Sequence, residues 1–171
     1  MKGYFNKPEA TREMIDAEGF LRITDRKKDI IVTAGGKNIA PQPIENRVKM
    51  NKYVSQAVMI GDRRKFPVML VVPNFDNLER WARLKNLRWG SRAELLGQPL
   101  VRAKMEKEVA AELEGAAHFE VPKKIGLLEH DFSIESGELT PTQKVKRRVI
   151  DQRYRALIDS LYAEDDTAGA G

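Results

Sequence analysis

Residues 54–72 read Val-Ser-Gln-Ala-Val-Met-Ile-Gly-Asp-Arg-Arg-Lys-Phe-Pro-Val-Met-Leu-Val-Val, and this stretch decides what sheet the chain can form. Two apolar runs, 54–60 and 68–72, flank a polar segment, 62–67, that contains three consecutive basic residues. Runs rich in β-branched residues, bounded by glycine, aspartate and proline, are typical of strands joined by a turn. The pattern therefore predicts an antiparallel hairpin with a basic tip.

Helical patterns lie on both sides of this hairpin. Pro43 at a first helical position predicts a short helix over 44–50. Asp76 or Asn77 is expected to cap a second helix. A longer helix starts at Pro99, because apolar residues then recur at helical spacing: Val101, Met105, Val109 and Leu113.

The remaining segments complete the predicted fold. Residues 20–23 and 30–33 are expected to form two short strands joined by a charged turn, and 124–128 a further strand. A last helix carries a buried stripe of Val145, Val149, Ile150, Leu157, Ile158 and Leu161. Its basic residues Lys146, Arg147, Arg148 and Arg153 are expected elsewhere on the surface. The predicted fold class is α+β, a small mixed β-sheet flanked by helices, with a short β-hairpin at the N-terminal side.

Composition narrows the functional classes. With 171 residues, 42% of them hydrophobic, the chain can form one or at most two cores. It has no cysteine and two histidines, which excludes a disulfide scaffold and argues against a metal site, and fits a cytoplasmic location. The net charge of +5 arises from 30 basic and 25 acidic residues that are interspersed, so it permits nucleic-acid binding without requiring it.

Two segments carry the functional signal. In 25–41, five charged residues are followed by a β-branched strand, a glycine pair and a polar loop. In 137–148, Gly-Glu-Leu-Thr-Pro-Thr-Gln-Lys-Val-Lys-Arg-Arg, a Thr-Pro-Thr step precedes Lys144. Proline fixes the backbone, and the threonine hydroxyls are expected to cap the first free amides of the next helix. A lysine held in this way suits negative charge that develops on phosphate or carboxylate oxygens.

Together these segments resemble the C-terminal domain of the AMP-forming acyl-CoA synthetases, in the adenylate-forming superfamily that includes luciferase and peptide-synthetase adenylation domains. The likeness runs over about 20–162. Residues 132–142, with Gln143 before the lysine, are similar to the long-chain fatty-acid branch. The resemblance implies a mobile lid domain over 20–162, preceded by a loosely ordered remnant of another domain over 1–19. Residues 163–171 are expected to form a disordered tail.

The resemblance also implies roles for single residues. Lys144 corresponds to the adenylation lysine, which bridges the substrate carboxylate and the ATP α-phosphate. Gln143 stands where the family often has glycine. Arg26 corresponds to an arginine near the bound nucleotide, although a salt bridge to Asp25 or Asp29 is an alternative role. Lys28 corresponds to the hinge about which the domain rotates, with Lys27 as the neighbouring alternative.

The predicted coenzyme A contacts lie in two loops. Gly35, Gly36 and Lys37 belong to a loop that lines the pantetheine tunnel in the family. The basic hairpin tip, with Arg63, Arg64 and Lys65, is a further candidate contact for coenzyme A phosphates. For the glycine pair a plain turn, and for the tip a solvated turn, are the alternative roles.

The implied substrates are a fatty acid, ATP with Mg²⁺, and coenzyme A. ATP and Mg²⁺ would be held mainly by an N-terminal adenylation domain, the implied partner, whose phosphate loop and acyl pocket have no counterpart in this sequence. The family's Thr-Gly-Asp strand is also missing between Ile15 and Phe20. The isolated chain is therefore expected to be inactive.

Other functional classes remain open at this point. A basic α+β module that binds nucleic acid or an anionic membrane would need a continuous basic face with interleaved aromatic residues. Most aromatic residues here lie on apolar stripes, so nucleic acid is not the expected partner, while peripheral membrane contact stays open. A regulator that docks on a separate adenylating subunit is the third alternative.

Overall fold

A computed structural model describes the backbone of residues 30–168 and the side chains of residues 30–163. The chain divides into two compact units, Met1–Ile30 and Ile31–Gly171, and every element below belongs to the second unit. The predicted strand at 20–23, the segment 1–19 and the candidate residues Arg26, Lys27 and Lys28 lie outside the described residues.

Two antiparallel pairings organise the first half of this unit. Strands β1 (Ile31–Val32) and β2 (Asn38–Ile39) form a small ribbon. Strands β3 (Val54–Ile60) and β4 (Val68–Pro73) form the hairpin that the sequence predicts, with Ile60 opposite Val68. Strand β5 (Lys124–Leu127) pairs in parallel with β4, so the order is β3-β4-β5 and the sheet is mixed.

In the described part of the chain, six helices accompany these strands. They are α1 (Pro41–Lys49), α2 (Phe75–Leu84), α3 (Arg92–Gly97), α4 (Pro99–Glu112), α5 (Arg147–Arg153) and α6 (Arg155–Ala168). The predicted α+β class, a small mixed sheet flanked by helices, is confirmed. Within residues 30–168, no helix is long and apolar enough to cross a membrane.

The helix starts differ from the predicted ones in two places. Helix α1 begins at Pro41 rather than after Pro43, because the first amides of a helix have no intrahelical acceptor and both prolines therefore fit the first turn. Asn74 caps α2 and accepts a hydrogen bond from the Asn77 amide at 3.2 Å, so neither Asp76 nor Asn77 is the cap. Helix α3, capped by Ser91, was not predicted.

The predicted last helix is two helices. The backbone leaves helical geometry at Tyr154, with φ −101° and ψ 19°, between α5 and α6. The apolar stripe continues across this break, since Ile150, Ile158 and Leu161 are all buried. Helix α6 continues to Ala168, into the range predicted as a tail.

The core lies between the sheet and these helices. Val58 on β3, and Met69 and Leu70 on the central strand β4, are fully buried. Gly126 in β5 lets α6 approach the sheet, because a Cβ atom there would lie 2.9 Å from Leu70 Cδ2 and 3.2 Å from Leu157 Cδ2. The core thus fixes α6, and with it the segment that carries Lys144, against the sheet.

Candidate functional site

Lys144 lies in a turn whose backbone is closed by Thr140. The Lys144 amide donates to Thr140 Oγ1 at 3.0 Å, and the Thr140 amide donates to the Lys144 carbonyl at 2.8 Å. A β-bridge between Leu139 and Val145 continues the pairing. The Lys144 side chain is exposed, and no ion pair involves it among residues 30–168. The structure therefore presents this ammonium group from a fixed backbone.

The threonine hydroxyls serve this turn rather than the following helix. Helix α5 has Lys146 at its N-cap without a side-chain capping bond. Thr140 Oγ1 instead accepts from Lys144 and lies 3.0 Å from Thr142 Oγ1. The expectation that these hydroxyls cap the helix is therefore wrong, because they close the loop before the helix begins.

Gln143 adopts the backbone conformation that glycine favours. Its φ is +59°, in the left-handed region, and its amide donates to the Thr140 carbonyl at 2.8 Å. A residue with a Cβ atom is strained in this region by about 1–2 kcal/mol. The position just before Lys144 thus requires positive φ, although the residue there is glutamine.

A buried carboxylate anchors the base of the loop. Glu138 is 2% exposed. Its carboxylate accepts hydrogen bonds from Ser136 Oγ and, at 2.8 Å, from Tyr154 OH, and lies 3.5 Å from Arg153 Nε. Its carbonyl accepts from the Lys146 amide at 2.8 Å. Burial, together with the hydrogen bond to Glu138, raises the pKa of Tyr154 to about 12.

Arg147 is a second anchor, and its position corrects the prediction that it lies on the surface. Its Nη1 donates to Glu45 Oε1 and to the Met59 carbonyl, both at 2.5 Å. The same Glu45 oxygen accepts from the Met59 amide at 2.7 Å, and Glu45 is 1% exposed. The sequence signal for Glu45 is its place in the buried stripe of α1, with Pro41, Ile44 and Val48. A buried glutamate needs a cationic partner, which Arg147 supplies.

The glycine loop connects β1 and β2. Gly36 has φ +75° and donates from its amide to the Thr33 carbonyl at 2.9 Å. The Lys37 amide donates to Thr33 Oγ1 at 3.1 Å. Gly36 is therefore required by the turn itself. A Cβ atom added at Gly35 would have Thr33 Oγ1 as its nearest neighbour, at 4.0 Å. The fold alone therefore does not require glycine at this position.

The structure joins the glycine loop to the basic hairpin tip. The Ala34 amide donates to the Arg64 carbonyl and the Arg63 amide donates to the Val32 carbonyl, each at 2.8 Å. The Val32 amide donates to Asp62 Oδ1 at 3.2 Å. Two candidate segments that the sequence suggested separately thus form one surface. Among residues 30–168, no hydrogen bond joins this surface to the Lys144 turn.

The basic side chains of this surface differ in their partners. Arg64 forms an ion pair with Asp159 at 2.8 Å, and its guanidinium lies 4.9 Å from the Tyr162 ring centroid. The Arg63 side chain is 92% exposed and lies 4.0 Å from Asp62. Lys37 Nζ lies 5.6 Å from the Phe119 ring centroid. Sequence reasoning missed Asp159, Tyr162 and Phe119, since only the tertiary fold brings them to the loop.

Comparison with known proteins identifies relatives for nearly the whole chain. A model of the AMP-binding enzyme C-terminal domain matches residues 28–90. The long-chain-fatty-acid–CoA ligase FadD15 of Mycobacterium tuberculosis is 34% identical over 95% of this chain, which corresponds to 30% of that ligase. The human long-chain-fatty-acid–CoA ligase ACSBG1 is 38% identical over 95% of this chain and 25% of its own. The chain thus spans less than a third of the curated relatives that it matches.

Solved structures share the fold. The adenylation domain of a carboxylic acid reductase from Segniliparus rugosus, in complex with AMP and a co-purified carboxylic acid, matches with a TM-score of 0.67 and 23% identity, over 95% of this chain and 26% of that one. The corresponding domain from Mycobacterium chelonae matches with a TM-score of 0.66 and 23% identity, over 95% of this chain and 26% of that one. At this level of identity the likeness concerns the fold alone.

Proposed function

Because this chain carries the C-terminal domain of the AMP-binding enzymes, we propose that it is the mobile lid of a long-chain fatty-acid–CoA ligase. The complete enzyme would join a fatty-acid carboxylate to ATP, forming an acyl-adenylate and releasing pyrophosphate. Coenzyme A would then displace AMP and leave the acyl-CoA thioester. The observation that carries this proposal is the exposed Lys144 on a turn closed by Thr140, within a domain of this family.

Lys144 is the proposed adenylation lysine. Attack of the carboxylate oxygen on the α-phosphorus places negative charge on the phosphate oxygens while pyrophosphate departs. An ammonium group that is already held at this position stabilises that charge without reorganisation. The turn supports this role, because its hydrogen bonds hold the Lys144 backbone and leave the side chain exposed.

The surface made by the glycine loop and the hairpin tip is proposed to serve thioester formation. Gly36 keeps the backbone compact where the pantetheine arm would pass, and the exposed Arg63 and Lys37 offer charge to coenzyme A phosphates. Arg64 already contacts Asp159 and Tyr162, so its proposed role is to hold the shape of the loop. We assign this surface and the Lys144 turn to different half-reactions, since they are built from different segments of the domain, 32–37 with 61–67 and 139–145.

Two further roles fall on residues outside the described part of the chain. Arg26 is proposed to contact the nucleotide, and Lys28 to be the hinge between the two poses. Magnesium and ATP are assigned to the N-terminal adenylation domain.

The test uses a complete ligase in which this domain is joined to its adenylation domain. Lys144→Ala is expected to lower adenylate formation by about a hundredfold to a thousandfold, since a preorganised charge is lost. Thioester formation from supplied acyl-adenylate is expected to persist. Lys146→Ala, which removes another exposed lysine two positions away, is the matched control. An equal fall in both half-reactions would contradict the role of Lys144.

The hinge assignment predicts the opposite effect on the two half-reactions. Lys28→Pro fixes φ near about −65° and removes an amide donor, so transfer to coenzyme A should stall while adenylation persists. Lys28→Ala removes the charge and leaves the torsion free. If the proline variant transfers acyl groups as fast as the alanine variant, the hinge lies elsewhere, with Lys27 as the next candidate.

A further inference from the structure

One short segment of the chain is strongly basic. Residues 80–92 contain five basic side chains and no acidic one: Arg80, Arg83, Lys85, Arg88 and Arg92. A second basic stretch follows Lys144, but there Arg147, Arg153 and Arg155 are paired with Glu45, Glu138 and Asp151. Arg83 forms an ion pair with Glu79 at 3.4 Å, while in the described part of the chain no ion pair involves Arg80, Lys85 or Arg88.

A rigid turn presents this charge. At the end of α2 the Leu87 amide donates to the Ala82 carbonyl at 3.0 Å and the Asn86 amide donates to the Arg83 carbonyl at 2.9 Å. Asn86 has φ +57°. These bonds form a Schellman motif, which ends the helix and turns the chain back. Residues 87–89 are therefore held beside the last turn of α2.

Apolar side chains are exposed among the basic ones. The side chain of Leu84 is 77% exposed at the end of α2. Arg83 and Arg88 line a shallow cleft together with the half-buried Trp89, whose ring centroid lies 5.9 Å from the Arg83 guanidinium. We call Arg80, Arg83, Leu84, Lys85, Arg88 and Trp89 the α2-end patch.

The α2-end patch lies away from the glycine loop. Helix α2 follows Pro73, where β4 ends, whereas the basic tip at 61–67 lies at the other end of β3 and β4. Lys104 Nζ lies 4.5 Å from the Tyr53 ring and 5.6 Å from the Trp81 ring, so the middle of α2 stays at the end of the sheet where β3 begins. Most of the patch follows Trp81 in the chain, at the end of α2 and in the turn after it. Its occupant therefore need not compete with a ligand at the glycine loop.

We propose that the α2-end patch is a contact site for an anionic lipid surface. Basic side chains around an exposed aliphatic residue suit lipid phosphates above acyl chains, and tryptophan favours the boundary between them. Nucleic acid would also be attracted to these basic side chains, but it gains its stacking energy on aromatic rings. The most exposed apolar side chain of the patch is the aliphatic Leu84. The site does not depend on the proposed function of Lys144.

Vesicle flotation of the 171-residue chain tests the proposal. We expect at least about tenfold stronger partition into vesicles of phosphatidylcholine with phosphatidylglycerol than into phosphatidylcholine alone. Binding should weaken as salt rises from about 0.01 M to about 0.15 M, because the Debye length falls from about 30 Å to about 8 Å. Arg83→Gln with Arg88→Gln should lower the anionic partition about tenfold, and Leu84→Ser should lower it severalfold. Leu84 is exposed, so its substitution leaves the fold intact.

Control variants distinguish an effect of the patch from an effect of the total charge of the chain. Lys49→Gln with Arg148→Gln removes the same charge from exposed positions elsewhere and should bind vesicles like the unaltered chain. A blue shift of tryptophan emission on vesicles should persist in Trp81→Phe and vanish in Trp89→Phe. The proposal is overturned if anionic vesicles are not preferred, or if the control variant loses binding equally. It is also overturned if a single-stranded oligonucleotide binds through the patch while vesicles do not, or if joining the adenylation domain abolishes flotation.

Discussion

Gln143 has a Cβ atom at a position where the backbone favours glycine, so a substitution there can stabilise the turn before Lys144. Its φ of +59° is strained for a residue with a Cβ atom. We expect Gln143→Gly to raise the free energy of unfolding by about 0.5–1 kcal/mol, since relief of strain outweighs the added freedom of the unfolded chain. Urea unfolding measures the change. Gln143→Ala is the control that keeps the Cβ atom, and equal stability of the two variants would refute the argument.

Tyr154 makes the loop anchor sensitive to alkaline pH. Its pKa is raised to about 12 by burial and by the hydrogen bond to Glu138, so the folded chain holds the phenol proton more tightly than the unfolded chain does. The stabilisation is therefore fully present below the unfolded pKa near 10 and is lost as pH rises through about 12. We expect unfolding free energy to fall over this range, and less so in Tyr154→Phe. Identical pH profiles for the two proteins would contradict this account.

At the scale of elements, the ion pair between Arg147 and Glu45 ties α5 to α1 and β3. We expect Arg147→Ala to destabilise the chain by about 3 kcal/mol, because it leaves the Glu45 carboxylate buried without its cation. Arg148→Ala, at the neighbouring exposed position, should change stability by less than about 0.5 kcal/mol. Thermal unfolding of both variants makes the comparison. Equal effects would mean that Arg147 contributes no more than surface charge.

The elements that local pattern determines were predictable, and those that tertiary contacts determine were not. The hairpin over 54–72 and the helix from Pro99 follow from periodicity, and the structure has both. The break at Tyr154 was missed, because the apolar stripe is continuous across it. The burial of Arg147 depends on Glu45, 102 residues away, and the fusion of the glycine loop with the hairpin tip depends on main-chain bonds. Neither leaves a local signal in the sequence.

For the whole molecule, the proposed function implies that the domain works only as part of a larger enzyme. The 171-residue chain spans 30% of the FadD15 ligase that it matches. We expect the purified chain to show no carboxylate-dependent release of pyrophosphate, since a lysine and loops without a nucleotide pocket cannot position the reactants. A coupled pyrophosphate assay with a fatty acid, ATP and Mg²⁺ measures this. Robust acyl-CoA formation by the chain alone would overturn the lid assignment.

The parallel pairing of β4 with β5 sets the order in which the chain can fold. The turn of the hairpin separates Ile60 and Val68 by eight residues, but Val68 pairs with Lys124, 56 residues further along. Closing the longer loop costs more chain entropy, and non-local pairing slows folding. During synthesis, the hairpin can form while α2 to α4 are still emerging, and β4 then waits with one edge unpaired. Until β5 arrives, that open edge is where a nascent chain would be most vulnerable to association with its neighbours.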